Sequence, residues 1–182
     1  MRTARRPGRP CRGFTLLELM VVLVIVATLA GFAVLAVGDG GRGRMVEEAV
    51  RSLEARMTLA RDEAILLGRE TAVGFHQAGY TFLHRVMVDD RTLEWRPLQE
   101  DRLLRPRHLG DLGLELELRV EGLPVALERD PEHPDAHIVL GSDGMMTPFQ
   151  LRVLDSQGRD ALYILRGRAD GRLRIQRPGE AS

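Results

Sequence analysis

The sequence predicts an α+β chain, with one long N-terminal helix leading into an antiparallel, β-rich domain. Three observations carry that expectation. Phe14 to Val37 is an apolar run holding a single charge, Glu18. A helical stripe follows at Val46, Val50, Leu53, Met57, Ala60, Ala64 and Leu67, spaced alternately four and three apart. Beyond Gly68 the period falls to two. It is clearest where Leu112, Leu114, Leu116, Leu118 and Val120 alternate with Gly113, Glu115, Glu117, Arg119 and Glu121.

The N-terminus comes first. Residues 1–13 contain five arginines and no acid. Phe14–Val37, as a helix, would be about 36 Å long, sufficient for a hydrocarbon core of about 30 Å. The basic flank assigns the N-terminus to the cytoplasm and everything after Val37 to the far side of the membrane. An ordinary secretory signal, cut near Val34-Leu35-Ala36, is the rival. It is disfavoured because the apolar run is longer than such a signal needs and carries Glu18. Cys11 is the only cysteine, so the body of the protein forms no internal disulfide. A lipid-anchor role for Cys11 is disfavoured by the basic, Pro/Gly-rich stretch before it.

Glu18 needs a physical reason, because an unpaired carboxylate in an apolar segment costs several kcal/mol. If the chain is cut after Gly13, Phe14 gains a free amine one helical turn from Glu18. Glu18 of one subunit would then pair with the Phe14 ammonium of a neighbour and set their register. The residues alone leave a second reading open, a carboxylate snorkelling to the interface of a solitary anchor.

Gly38-Asp39-Gly40-Gly41-Arg42-Gly43 holds four glycines in six residues, which predicts a weakened, locally bent joint. The striped helix follows and should pack on a sheet, with Gly68 as its stop. Seven to nine short strands are expected after it. The strand-like segments are Thr71–Phe75, Tyr80–Val88, Leu93–Arg96, the 112–120 alternation, His137–Leu140, Pro148–Leu154, Ala161–Arg166 and Leu173–Gln176. The turns between them are Gln77-Ala78-Gly79, Asp89-Asp90-Arg91, Gly141-Ser142-Asp143-Gly144, Asp155-Ser156-Gln157-Gly158 and Ala169-Asp170-Gly171.

Composition narrows the function classes. Cations and acids balance at 26 each, and loss of the five leader arginines leaves 21 against 26. Bulk electrostatic binding of nucleic acid is therefore not expected. No nucleophile elbow, phosphate loop or metal-ligand spacing is present, so neither an enzyme, a cofactor nor a metal is expected. Histidines 76, 84, 108, 133 and 137 are scattered without cysteine partners, and Pro131 and Pro134 break any helix bearing His133 and His137. Solvated loop histidines are the expectation.

Gly13-Phe14-Thr15-Leu16-Leu17-Glu18-Leu19 resembles the leader signature of type IV pilins and type II secretion pseudopilins. The resemblance implies a pilin-like fold, cleavage after Gly13 by a prepilin peptidase and N-methylation of Phe14. It also implies assembly through Glu18. The domain organisation is then a removed leader (1–13), a transmembrane and assembly helix (14–37), a glycine-rich joint (38–43), an amphipathic helix (44–68) and a periplasmic β-rich domain (69–182).

Within that superfamily the C-terminal half resembles the GspH branch, the minor pseudopilins of type II secretion. His137-Ile138-Val139-Leu140, Ser142-Asp143-Gly144, Thr147-Pro148-Phe149-Gln150-Leu151 and a final strand pair carry the likeness. Gly144, Pro148 and Phe149 are expected to be structural. The resemblance implies an inner-membrane, single-pass protein at or near the tip of a periplasmic filament. Its partners would be other minor pseudopilins, the major pseudopilin and the inner-membrane secretion platform. The filament would move folded exoproteins through an outer-membrane secretin. Calcium belongs to the major pseudopilin by the same resemblance, and no equivalent site stands out here.

The alternative is a FimT-like minor pilin that binds DNA for uptake. Gly171-Arg172-Leu173-Arg174 resembles the Gly-Arg-x-Arg segment of those proteins, which would make Arg172 and Arg174 the DNA-binding residues. Arg166, Arg168 and Arg177 lie nearby in sequence, while Asp160 and Asp170 dilute the charge.

Overall fold

The computed structural model describes residues 16–89, 91–129, 135–155 and 160–179. Gly13, Phe14 and the rest of the leader lie outside the described residues. Helix α1 runs Leu16–Leu67. The helix continues through Gly38–Gly43, where the glycines predict a weak point, and the chain divides into two units between Arg42 and Gly43.

In the first unit, Leu16, Leu17, Leu19 and Leu23 are exposed by 54% or more. Val22, Ile25 and Val26 on other faces are exposed as well, so this segment is apolar all round. The hydroxyl of Thr28 bonds back to the carbonyls of Val24 (2.9 Å) and Ile25 (2.8 Å), which satisfies it inside the apolar stretch. Among the described residues no helix is long and apolar enough to cross a membrane. The described side chains of this stretch run only from Leu16 to Leu29, short of the roughly 20 residues a crossing needs.

The second unit is built on the striped half of α1. Val46, Val50, Leu53, Met57, Ala60 and Ala64 are each at most 2% exposed, as the stripe predicts. Leu67 departs from the stripe at 65% exposure, because the helix ends there. Gly68 adopts φ 61°, its N–H bonds the Ile65 carbonyl, and the Arg69 N–H bonds the Ala64 carbonyl at 3.0 Å. This is a Schellman stop, which turns the chain before a seventh stripe residue can reach the core.

Two antiparallel sheets follow. The first has the order β3 (Thr92–Pro97), β2 (Gly79–Asp89), β1 (Thr71–His76), β7 (Ile138–Leu140), with β4 (Arg107–His108) paired to β2. The second has the order β10 (Leu173–Gln176), β9 (Ala161–Gly167), β8 (Phe149–Asp155), β5 (Leu114–Val120), β6 (Leu123–Val125). The sheets are stitched by backbone bonds from Gln77 N–H to the Glu128 carbonyl (2.8 Å) and from Leu116 N–H to the Gln77 carbonyl (2.9 Å). Their side chains meet the helix stripe in one core, where Phe75 of the first sheet lies 6.4 Å from Phe149 of the second.

Three sequence expectations are corrected here. Ten strands are present among the described residues, above the expected seven to nine. The two missed strands, β4 and β6, span two and three residues, too short for a period-two signal. The alternating strand begins at Leu114, because Leu112 sits in a short 3-10 turn (Gly110–Leu112) closed by Gly113 at φ 63°. The histidines are not solvated loop residues as a class. His76 is buried at the end of β1, His84 is half-buried in β2, and His137 accepts a hydrogen bond from the Phe75 N–H at its Nδ1 (3.0 Å). His133 lies outside the described residues.

Candidate functional site

The predicted site residues fall into two groups. Gly13 and Phe14 are not described, and Glu18 is exposed in the first turn of α1. Arg172 and Arg174 belong to the second group, in the C-terminal hairpin.

That hairpin runs beside the striped half of α1. The Gly171 N–H bonds the Arg168 carbonyl, and the Arg168 N–H bonds the Arg172 carbonyl, both at 3.0 Å. Gly171 adopts φ 79°, a conformation that glycine enters without penalty. Arg61 of α1 donates from Nη1 to the Gly171 carbonyl, tying the helix to the turn. Arg172 is turned back onto Asp170, with its N–H on Oδ1 (3.1 Å) and Nε 3.6 Å from Oδ2. Arg174 faces Arg166 in register across β9 and β10.

Helix and hairpin enclose a groove of about 600 Å³ lined by Glu54, Thr58, Arg61, Arg166, Arg168, Gly171, Arg172, Leu173, Arg174 and Gln176. Sequence proximity suggested a cationic patch from the arginines of 166–177. The contribution of Arg61 and Glu54 from α1 carried no sequence signal, because they lie more than a hundred residues away. At the N-terminal end of the same helix segment, Glu47 receives Arg51 at 2.8 Å, Arg177 at 3.0 Å and the Tyr163 hydroxyl at 3.4 Å. Arg51 first, then Arg177 and Tyr163, hold the Glu47 carboxyl below the usual carboxylate range. The same Tyr163 and Glu47 contacts raise the Arg177 guanidinium above its ordinary value.

Gly144, Pro148 and Phe149 have structural places. Gly144 closes the 141–144 turn at φ 82°, with its N–H on the Gly141 carbonyl. The Pro148 carbonyl receives the Glu121 N–H at 2.9 Å, and Phe149 is 5% exposed in the core. Among the described residues no group of three or more His, Cys, Asp or Glu side chains is placed to hold a metal ion.

The N-terminal segment matches a family model described as the prokaryotic N-terminal methylation motif, over residues 8–34. The model for type II transport protein GspH matches residues 49–176, most of the second unit. The chain belongs to the GspH family, the minor pseudopilins of type II secretion. Among relatives, it is 30% identical to type II secretion system protein H of Pseudomonas aeruginosa, covering 81% of this chain and 85% of that protein. It is 32% identical to protein H of Escherichia coli, covering 85% and 87%. The fold is that of the minor pseudopilin EpsH of Vibrio cholerae, with a TM-score of 0.61 at 24% identity over 78% of this chain and 99% of EpsH. The solution structure of Escherichia coli GspH matches at a TM-score of 0.58 and 19% identity, covering 78% and 94%. This is the pilin-like α+β architecture expected from the sequence. The DNA-uptake alternative is not favoured, since these relatives carry secretion names. A GspH-family pseudopilin with an N-terminal methylation motif points to inner-membrane anchoring and to other pseudopilins as its company.

Proposed function

We propose that this chain works as a structural subunit at or near the tip of a periplasmic pseudopilus, after processing at its N-terminus. One observation carries the proposal: a single chain joins a methylation motif over residues 8–34 to a GspH match over residues 49–176. On this reading a prepilin peptidase cuts after Gly13 and methylates Phe14. Residues 14–37 anchor the protein in the inner membrane, with the N-terminus cytoplasmic and the β-rich domain periplasmic. Glu18 answers the Phe14 ammonium of an adjacent subunit, which offsets the cost of a carboxylate in an apolar layer and fixes axial register.

The neighbours are other minor pseudopilins and the major pseudopilin, and the inner-membrane platform builds the filament. The work is mechanical and not enzymatic: growth of the filament moves folded exoproteins to the outer-membrane secretin.

The test is complementation in the chain's own host with its gene deleted. The unaltered chain restores exoprotein secretion. Glu18→Ala inserts into the membrane normally yet restores little, because the register contact is lost. Full secretion by Glu18→Ala would remove the pairing, and secretion unaffected by the deletion itself would remove the function.

A further inference from the structure

We infer that the groove between α1 and the β9–β10 hairpin is a docking cleft for an acidic segment of a neighbouring protein subunit. The inference deepens the pseudopilin reading and rests on it for the partner's place in a filament.

Two arginines elsewhere on the sheets are answered by a carboxylate. Arg152 of β8 stands opposite Glu117 of β5 in register and forms an ion pair with it. Arg85 of β2 pairs with Glu70 at 2.8 Å. The β9–β10 pair instead sets two arginines against each other. Arg166 and Arg174 stand opposite each other, and both are exposed. Like charges placed directly across two strands destabilise the pair. Among the described residues, no carboxylate lies within ion-pair distance of Arg166, Arg168 or Arg174. The other two arginines of the groove are already engaged: Arg61 with Gly171 and Asp62, and Arg172 with Asp170.

Among the described residues the groove therefore presents three uncommitted guanidinium forks over a concave surface. Guanidinium forks match carboxylates bidentately. The remaining features favour polypeptide over nucleic acid. Among the described residues that line the groove none is aromatic, and Tyr163 of the adjoining groove is already covered by Arg177, so bases would find little to stack on. Glu54 lies in its wall, and the adjoining groove mixes Glu47 and Glu54 with Arg51, Arg174 and Arg177. A continuous polyphosphate would meet these carboxylates unfavourably. A polypeptide can place acids over Arg166, Arg168 and Arg174, and neutral or basic residues over Glu54 and Glu47.

The test uses the full chain in detergent and a fluorescein-labelled oligoglutamate peptide, followed by anisotropy. The peptide binds at low salt, and Arg166→Gln/Arg174→Gln weakens binding about tenfold. Arg96→Gln/Arg119→Gln removes the same charge elsewhere and leaves binding unchanged. Equal loss in both double variants, or no binding at all, overturns the cleft. Duplex DNA displacing the peptide at lower charge concentration than free oligoglutamate does overturns it in favour of nucleic acid. The pseudopilin reading fails separately. Complementation without peptide binding removes the cleft alone, and peptide binding without complementation removes the filament partner alone.

Discussion

The Tyr163 hydroxyl on β9 donates to the Glu47 carboxylate on α1 across 3.4 Å, joining residues 116 positions apart. Arg177 completes the contact. It bonds Glu47 at 3.0 Å and the Tyr163 oxygen at 3.2 Å, and lies over the Tyr163 ring at 5.5 Å. The chain just past the last strand is thereby fastened to the helix. The Glu47 carboxyl titrates below its ordinary value of 4.5, chiefly through Arg51. A depressed carboxyl contributes stability that is present above its unfolded value and is lost as pH falls through its folded value. Melting temperature should therefore decline as pH drops below about 4.5, and Glu47→Gln should flatten that part of the decline. Thermal unfolding of both proteins across this range checks it, and identical profiles would contradict it.

His137 titrates in the opposite sense to a histidine that gains an acidic partner. Burial holds it below its ordinary value of 6.5, against the pull of Asp135. Its stabilising contribution is thus present above pH 6.5 and lost as pH falls toward the folded value. The neutral ring accepts the buried Phe75 N–H, so His137→Ala should cost about 1–3 kcal/mol by leaving that donor unpaired. His137→Asn, which keeps an acceptor, should recover part of the loss in denaturant melts at pH 7.5 and remove the pH dependence.

Two glycines separate backbone strain from steric contact. Gly122 and Gly171 both have positive φ, at 84° and 79°. A Cβ on Gly122 meets nothing within 4 Å, whereas one on Gly171 would approach the Gly144 carbonyl to 2.6 Å and Arg61 Nη1 to 2.8 Å. Gly122→Ala should cost about 1 kcal/mol from conformation alone. Gly171→Ala should cost distinctly more and should also loosen the Arg61 contact. Equal losses in urea titrations would show that the turn yields freely.

The helix stripe gives a direct test of packing. Met57 is fully buried and Leu67 is 65% exposed. Met57→Ala should cost about 2–5 kcal/mol. Leu67→Ala should fall within about 0.5 kcal/mol of the parent. Comparable effects would mean that the helix seats differently on the sheets.

The sequence foretold the parts of this fold that repeat. Six of the seven stripe positions are buried because a single helix phase governs them, and Leu67 departs because Gly68 ends the phase one residue later. Leu114, Leu116 and Leu118 follow from strand alternation. The β5–β6 hairpin was missed although its signal is present. Glu121 and Gly122 both take positive φ, as a tight two-residue turn demands, and an acidic residue before glycine suits that turn. The fastening of Tyr163 to Glu47 and the arrival of Arg61 at the groove left no local trace. They depend on how helix and hairpin pack, which no short-range pattern encodes. The expectation for Gly13, Phe14 and Glu18 rests on a linear pattern in the chain and not on packing, so it stays a proposal that the fold does not touch.

The most direct test of the account is the intact mass of the membrane-associated chain after co-expression with a prepilin peptidase. The account predicts loss of residues 1–13 and a single added methyl group on Phe14. A chain that keeps its leader in membranes containing active peptidase, or that is cut elsewhere, would contradict it.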